Sequence, residues 1–208
     1  MNLRVIGAGL PRTGTHSQQI ALEQLLRGQC YHMRAIPGHP FNLGDDWNRA
    51  LAGGAVDWNG LLEGYVAAVD WPASMFWREL SEVNPDALIL LSVRVDAETW
   101  WQSINETILP YARMSQAPGW SEGRGLLDLL ERFTGKENWD DPATLMAAYE
   151  RHNAEVRKTT PAQRLLEWRA MDGWEPICKA LGLPVRKSLF PGAIAGVNGS
   201  RKFTPSDG

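Results

Sequence analysis

The sequence predicts a single α/β domain of three layers, α/β/α, with a central parallel sheet held between helices. Three observations predict it. Short apolar runs alternate along the chain with segments of helical periodicity. One run, Ala87 to Val93, is apolar without interruption, the mark of a strand buried on both faces. A glycine turn, Gly7-Ala8-Gly9, closes the first apolar run just before the first helical stretch.

The elements follow in order. Leu3 to Gly7 reads as the first strand and His16 to Leu26 as the first helix, with Ile20, Leu22, Leu25 and Leu26 on a shared face and Gly28 ending it. Cys30 to Met33 is a short second strand. Residues 37–64, rich in Gly, Pro, Asp and Trp, read as short helices and loops anchored by Trp47, Leu51, Trp58, Leu61 and Leu62. Tyr65 to Asp70 is a candidate strand, and Pro72 fits the first turn of a helix reaching about Asn84. Asn84-Pro85-Asp86 bounds the buried strand, which ends at Arg94. Helices follow at Ala97 to Leu109, Gly125 to Phe133 and Pro142 to Thr159, then a strand at Arg164 to Trp168 and a helix at Trp174 to Leu181. Residues 1–190 are read as the domain, and 191–208, rich in Gly, Ser, Lys and Pro, as a C-terminal tail.

Composition narrows the function. With 208 residues and a net charge of −3, the chain has the size of one domain and no basic field for nucleic acid. Sixteen of the 21 basic residues are arginine, which favours planar, bidentate contacts to phosphate, sulfate or carboxylate. Cys30 and Cys178 stand far apart and outside any ligand spacing, so they read as buried apolar residues and not as a disulfide or zinc site. No apolar run is long enough for a membrane span and no signal peptide is read at the start, so a cytoplasmic location is expected. Ten tryptophans, several in near-pairs such as Trp71/Trp77 and Trp100/Trp101, read mostly as core, with a minority left for an apolar acceptor pocket or the adenine.

The chemistry concentrates between the first strand and the first helix, in Gly9-Leu10-Pro11-Arg12-Thr13-Gly14-Thr15-His16-Ser17. Glycines there let the backbone wrap an anion, the amides opening the helix point at it, and Thr15 and Ser17 add hydroxyl donors. A nucleotide-kinase loop needs lysine after the second glycine, where Thr15 stands; a dinucleotide loop needs glycine where Arg12 stands.

Pro11-Arg12-Thr13-Gly14-Thr15 after a glycine-ended strand resembles the 5′-phosphosulfate-binding loop of the cytosolic-type sulfotransferases, in the branch that reads P-R-T-G-T. Leu90-Leu91-Ser92-Val93-Arg94, followed by a helix bearing Ser103, is similar to the strand and serine that hold the donor's 3′-phosphate in that family. Val69-Asp70-Trp71-Pro72 stands where many members carry a histidine shortly before a proline. Arg164 to Trp168 and Gly173 to Gly182 are similar to the family's last strand and helix, so the likeness spans about residues 3–190.

The resemblance implies a P-loop nucleotide-kinase-like fold and transfer of a sulfuryl group from 3′-phosphoadenosine 5′-phosphosulfate (PAPS) to a hydroxyl or amine, leaving 3′-phosphoadenosine 5′-phosphate (PAP), with no metal. It assigns Arg12, Thr13, Gly14, Thr15, His16 and Ser17 to the 5′ end of the donor, and Arg94 and Ser103 to a separate 3′-phosphate site. Arg12 stands where the better-known branch uses lysine, to neutralise the leaving oxygen. Asp70 is the candidate base, its alternative being a silent carboxylate at a helix N-terminus. His32 is a base or acceptor contact, or a hydrogen-bonded histidine at a sheet edge. His39 and His152 read as structural or exposed. Arg201 and Lys202 are candidates to close over the 3′-phosphate, against a solvated basic tail. Asp45-Asp46 and Asp140-Asp141 invite a metal reading, but helix capping accounts for them better. A small apolar or aromatic acceptor and a possible homodimer complete the expectation, with a divergent P-loop kinase or a non-catalytic nucleotide-binding module as the alternatives.

Overall fold

The computed structural model describes residues 2–135 and 138–191. Five strands form one all-parallel sheet: β1 (Val5–Gly7), β2 (Gln29–Tyr31), β3 (Tyr65–Ala68), β4 (Leu88–Ser92) and β5 (Leu165–Trp168). Their order across the sheet is β2-β3-β1-β4-β5, with Val5 opposite Ala67 on one side and Leu88 on the other. Each strand lies within two residues of the run that predicts it, because a strand covered on both faces must be apolar at successive positions.

The pleat divides those positions between two cores. Val5, Cys30, Ala67, Leu90 and Trp168 face α1 (Thr15–Leu26) and α9 (Trp174–Ala180). Ile6, Tyr31, Ala68, Ile89 and Leu91 face the thicker layer. That layer holds α2 (Asp45–Leu51), α3 (Trp58–Leu61), α4 (Trp77–Val83), α5 (Ala97–Thr107), α6 (Leu109–Met114), α7 (Gly125–Thr134) and α8 (Pro142–Thr159). Seven of the ten tryptophans are buried, and Trp71, Trp100 and Trp168 are wholly so. Both cysteines are buried thiols in the thinner core.

Three local features depart from the sequence expectation. The helix expected from Pro72 is a 3-10 turn over Ala73–Phe76 followed by α4, the break falling at Phe76. The strand expected to reach Asp70 stops at Ala68, because Asp70 adopts a left-handed φ of 69°. The helix expected to end at Leu109 ends at Thr107, and α6 restarts with Pro110 in its first turn. Of the paired acids only Asp141 caps a helix, accepting from the Thr144 amide at 2.7 Å; Asp140 pairs with Arg113, and Asp45 and Asp46 stand in the first turn of α2 behind an uncapped Gly44, Asp46 pairing with Arg49.

The topology fixes where a ligand can sit. From β1 the chain leaves toward β2, and from its neighbour β4 it leaves toward β5, so a crevice opens beyond the carboxyl ends of β1 and β4. Residues 8–14 occupy that crevice.

Candidate active site

Burial and hydrogen bonds hold the loop after β1 from three sides. The Trp100 indole on α5 donates to the Pro11 carbonyl at 2.9 Å. His152 on α8 contacts the Ala8 carbonyl through Nε2 at 2.7 Å. Burial lowers the His152 pKa, so the ring is neutral there and Nε2–H donates. The Thr13 hydroxyl donates to the Leu10 carbonyl at 2.6 Å and lies 2.6 Å from the Ser92 hydroxyl at the end of β4. Thr13 is thus buried and spent on the loop's own shape.

Two backbone positions let the loop take this path. A Cβ on Gly9 would fall 1.9 Å from Ser92 Oγ and 2.7 Å from its backbone nitrogen, so only hydrogen fits beside β4. Gly14, with φ 101°, precedes α1 and leaves the helix start without a side-chain cap. The amides of the first turn of α1, from Thr15, His16 and Ser17, are free of intrahelical partners and carry the positive end of the helix dipole.

The charged residues fall into two groups on either side of β1. Toward β4, Arg12 and Arg94 lie together, and Arg12 Nε donates to Ser103 Oγ on α5 at 3.1 Å. Desolvation and the like charge of Arg94 lower the Arg12 pKa, while Asp70 opposes the shift; the outer flank of the Arg12 side chain is still exposed. The Arg94 backbone amide donates to the Tyr149 hydroxyl at 2.9 Å, and its Nε is buried with no partner. Arg12 thus joins the loop to the α5 serine, with Arg94 near enough for its charge to be felt at Arg12.

Toward β3 and β2 lies a buried carboxylate. Asp70 Oδ1 accepts from the Thr15 hydroxyl at 3.2 Å, and Oδ2 lies 3.3 Å from His32 Nε2. His32 Nδ1 accepts from the Arg34 amide at 3.3 Å, which leaves the proton on Nε2, facing Asp70 though off the line of a well-formed hydrogen bond. Both His32 and Asp70 are nearly closed to solvent. The His16 ring turns outward to Arg34 at 3.4 Å, and burial and then Arg34 lower its pKa. Ser17 sits half-buried in the first turn of α1.

Of the sequence-predicted residues, Arg12, Thr13, Gly14, Thr15, His16, Ser17, His32, Asp70, Arg94 and Ser103 thus gather along one edge of the sheet. Arg201 and Lys202 lie outside the described residues. His32 and Asp70, separate candidates in the sequence, are partners. Sequence reading did not assign Ser92 and Trp100 to the loop's shape, nor Tyr149 to the Arg94 amide, and of the two readings given for His152 the structural one holds. A signal existed for the last two, since Tyr149 and His152 are three apart and place polar groups on the core side of α8.

Trp100 stacks on Tyr149 with ring centroids 4.7 Å apart, while Trp101 packs at the edge of the same core, which settles which of the adjacent pair is interior. Among the described residues no cluster of three or more His, Cys, Asp or Glu could hold a metal ion, and no helix is long and apolar enough to cross a membrane.

Comparison with known proteins adds two findings. A family model described as a sulfotransferase domain matches residues 4–196. The chain is also similar to Ava biosynthesis cluster protein M of Aspergillus versicolor, 27% identical over 212 residues, covering 91% of this chain and 80% of that protein.

Proposed function

This chain belongs to the sulfotransferase domain family, and on that premise we propose that it transfers a sulfuryl group from PAPS to a hydroxyl of a small acceptor. The observation that carries the reading is Arg12, hydrogen-bonded to Ser103, with the charge of Arg94 felt beside it and the buried Arg94 Nε lacking a partner. Like charges at close range raise the energy of the site, and a multiply charged anion between them lowers it. PAPS brings two such groups and an activated sulfur. We assign the phosphosulfate to the α1 backbone amides, that of Thr15 among them, and to Arg12, and the 3′-phosphate to Arg94 and Ser103, with Gly14 shaping the approach and Thr13 fastening the loop. We take residues 1–190 as the transferase domain and 191–208, with Arg201 and Lys202, as a tail, and place the protein in the cytoplasm.

The residues divide the chemistry between them. Asp70, held by Thr15 and His32, accepts the proton of the acceptor hydroxyl as the new oxygen–sulfur bond forms. The bond from sulfur to the 5′-phosphate oxygen breaks, and Arg12 offsets the charge growing on that oxygen. Arg12 stays charged throughout, so it stabilises and does not donate a proton. Because His32 Nδ1 accepts from the Arg34 amide and Nε2 faces Asp70 at 3.3 Å, we assign the base to Asp70 and a positioning role to His32.

One observation favours a second reading. Asp70 follows a buried strand and sits beside Thr15, as a magnesium-binding carboxylate does in phosphoryl transfer. Calorimetric titration decides between them. PAP should bind without Mg²⁺ and far better than ADP, and Arg94→Ala should weaken PAP by about tenfold or more while changing ADP little. Preference for ADP with Mg²⁺, or equal losses in Arg94→Ala, would overturn the sulfotransfer reading.

A further inference from the structure

The sheet order lines up the charged groups along its carboxyl edge: Arg34 after β2, Asp70 after β3, Arg12 after β1 and Arg94 after β4. If the donor lies over β1 and β4, the acceptor approaches Asp70 from the β2 side. There the first helix and the turn after β2 enclose an open groove of about 410 Å³, lined by His16, Gln19, Ile20, Glu23, Arg34 and Ala35.

Arg34 is the exposed cation of that groove, and among the described residues no carboxylate lies within ion-pair distance of it. Its side-chain contact is the imidazole of His16, and its charge bears on His39 as well. The one acid lining the groove, Glu23, turns one oxygen to the chain, where Oε1 accepts from the Cys30 amide at 3.2 Å and meets the Gln19 amide nitrogen at 3.5 Å, and it makes no ion pair with Arg34. Ile20 and Ala35 supply apolar flanks.

We propose that this groove receives the acceptor and that Arg34 selects one bearing a carboxylate, seating that group so that the hydroxyl falls at Asp70. The inference rests on the sulfotransferase reading and adds the substrate class. A single planar guanidinium beside an imidazole that burial and Arg34 itself keep neutral matches a monoanion, which accepts two parallel hydrogen bonds from the guanidinium fork. Arg34 and Asp70 leave from the adjacent strands β2 and β3, so a phenol with a short acidic side chain is the fitting probe.

The test titrates para-hydroxyphenylacetate and its neutral amide into the protein saturated with PAP. The acid should bind about fivefold to tenfold more tightly, Arg34→Ala should abolish the difference, and Arg34→Lys should keep part of it. PAP affinity should stay within about twofold in both variants, since the Arg34 contact to His32 is made by the backbone amide. Equal binding of acid and amide, binding of neither to the PAP-loaded protein, or loss of PAP affinity in Arg34→Ala would overturn the proposal. Failure of the unmutated protein to bind PAP would instead overturn the donor site, and this inference with it.

Discussion

Ser92 donates its hydroxyl proton to Thr13, because the only proton Thr13 has is committed to the Leu10 carbonyl; both contacts are 2.6 Å. This short chain of hydrogen bonds ties the loop after β1 to the end of β4. Thr13→Val keeps the shape, leaves the Ser92 hydroxyl without its acceptor and leaves the Leu10 carbonyl only the backbone amide of residue 13, which should cost about 1–2 kcal/mol in chemical denaturation. Gly9→Ala, aimed at the same contact, drives a methyl into Ser92 and its backbone and should cost about 1–3 kcal/mol. Both should weaken PAP in titration. Full PAP affinity in either variant would show that the loop's shape does not matter to the donor.

Asp70 calls for asparagine as its probe, because asparagine tolerates a left-handed φ of 69° far better than alanine does. Asp70→Asn should lower turnover by about 10²- to 10⁴-fold once an acceptor is in hand, while PAP binds as well or better with a negative charge removed. Asp70→Ala should lose a further ~1 kcal/mol of stability from backbone strain. Undiminished turnover in the asparagine variant would end the assignment of Asp70 as base.

His152 makes stability depend on pH. Burial lowers its pKa from an ordinary value of 6.5, so below that value the unfolded chain takes up a proton that the folded chain resists. The sign follows: stability is full above about pH 6.5 and falls as pH drops through the lowered folded pKa. His152→Gln keeps a donor for the Ala8 carbonyl and should cost about 1 kcal/mol near pH 7.5, with the deficit shrinking near pH 5. His16 and His39 are shifted in the same direction, chiefly by burial, so part of the acid sensitivity remains in the variant. A deficit that is the same at both pH values would exclude a neutral His152 as the cause.

Much of this architecture is legible in the residues. Ala87 to Val93 announces a twice-covered strand because no alternating pattern interrupts it, and Gly7 to Ser17 announces a strand, a turn and a helix. Less visible is what depends on the order of strands. Neither His32 nor Asp70 carries a mark of the other, since their meeting requires β2 and β3 to be neighbours, and no local pattern encodes that. Arg34 and Arg94 stand at opposite ends of a row that exists only once β1 is threaded between β3 and β4. Trp100 and Trp101 are equivalent by composition, and the helical phase that buries one and half-exposes the other is set by Tyr149, far along the chain. The stop of β3 at Ala68 went unseen because a left-handed aspartate looks, in sequence, like one more residue of an extended run.

The three ties on the loop after β1 span 79, 89 and 144 residues of chain, to Ser92, Trp100 and His152. A chain leaving the ribosome therefore makes Ala8 to Gly14 long before it makes the residues that surround them. Until α8 has emerged, the Ala8 carbonyl has no imidazole to meet, and the loop pays its closure entropy without the contacts that offset it. Nascent chains stopped short of residue 152 should be poor ligands for the donor nucleotide, however well β1 and α1 have formed.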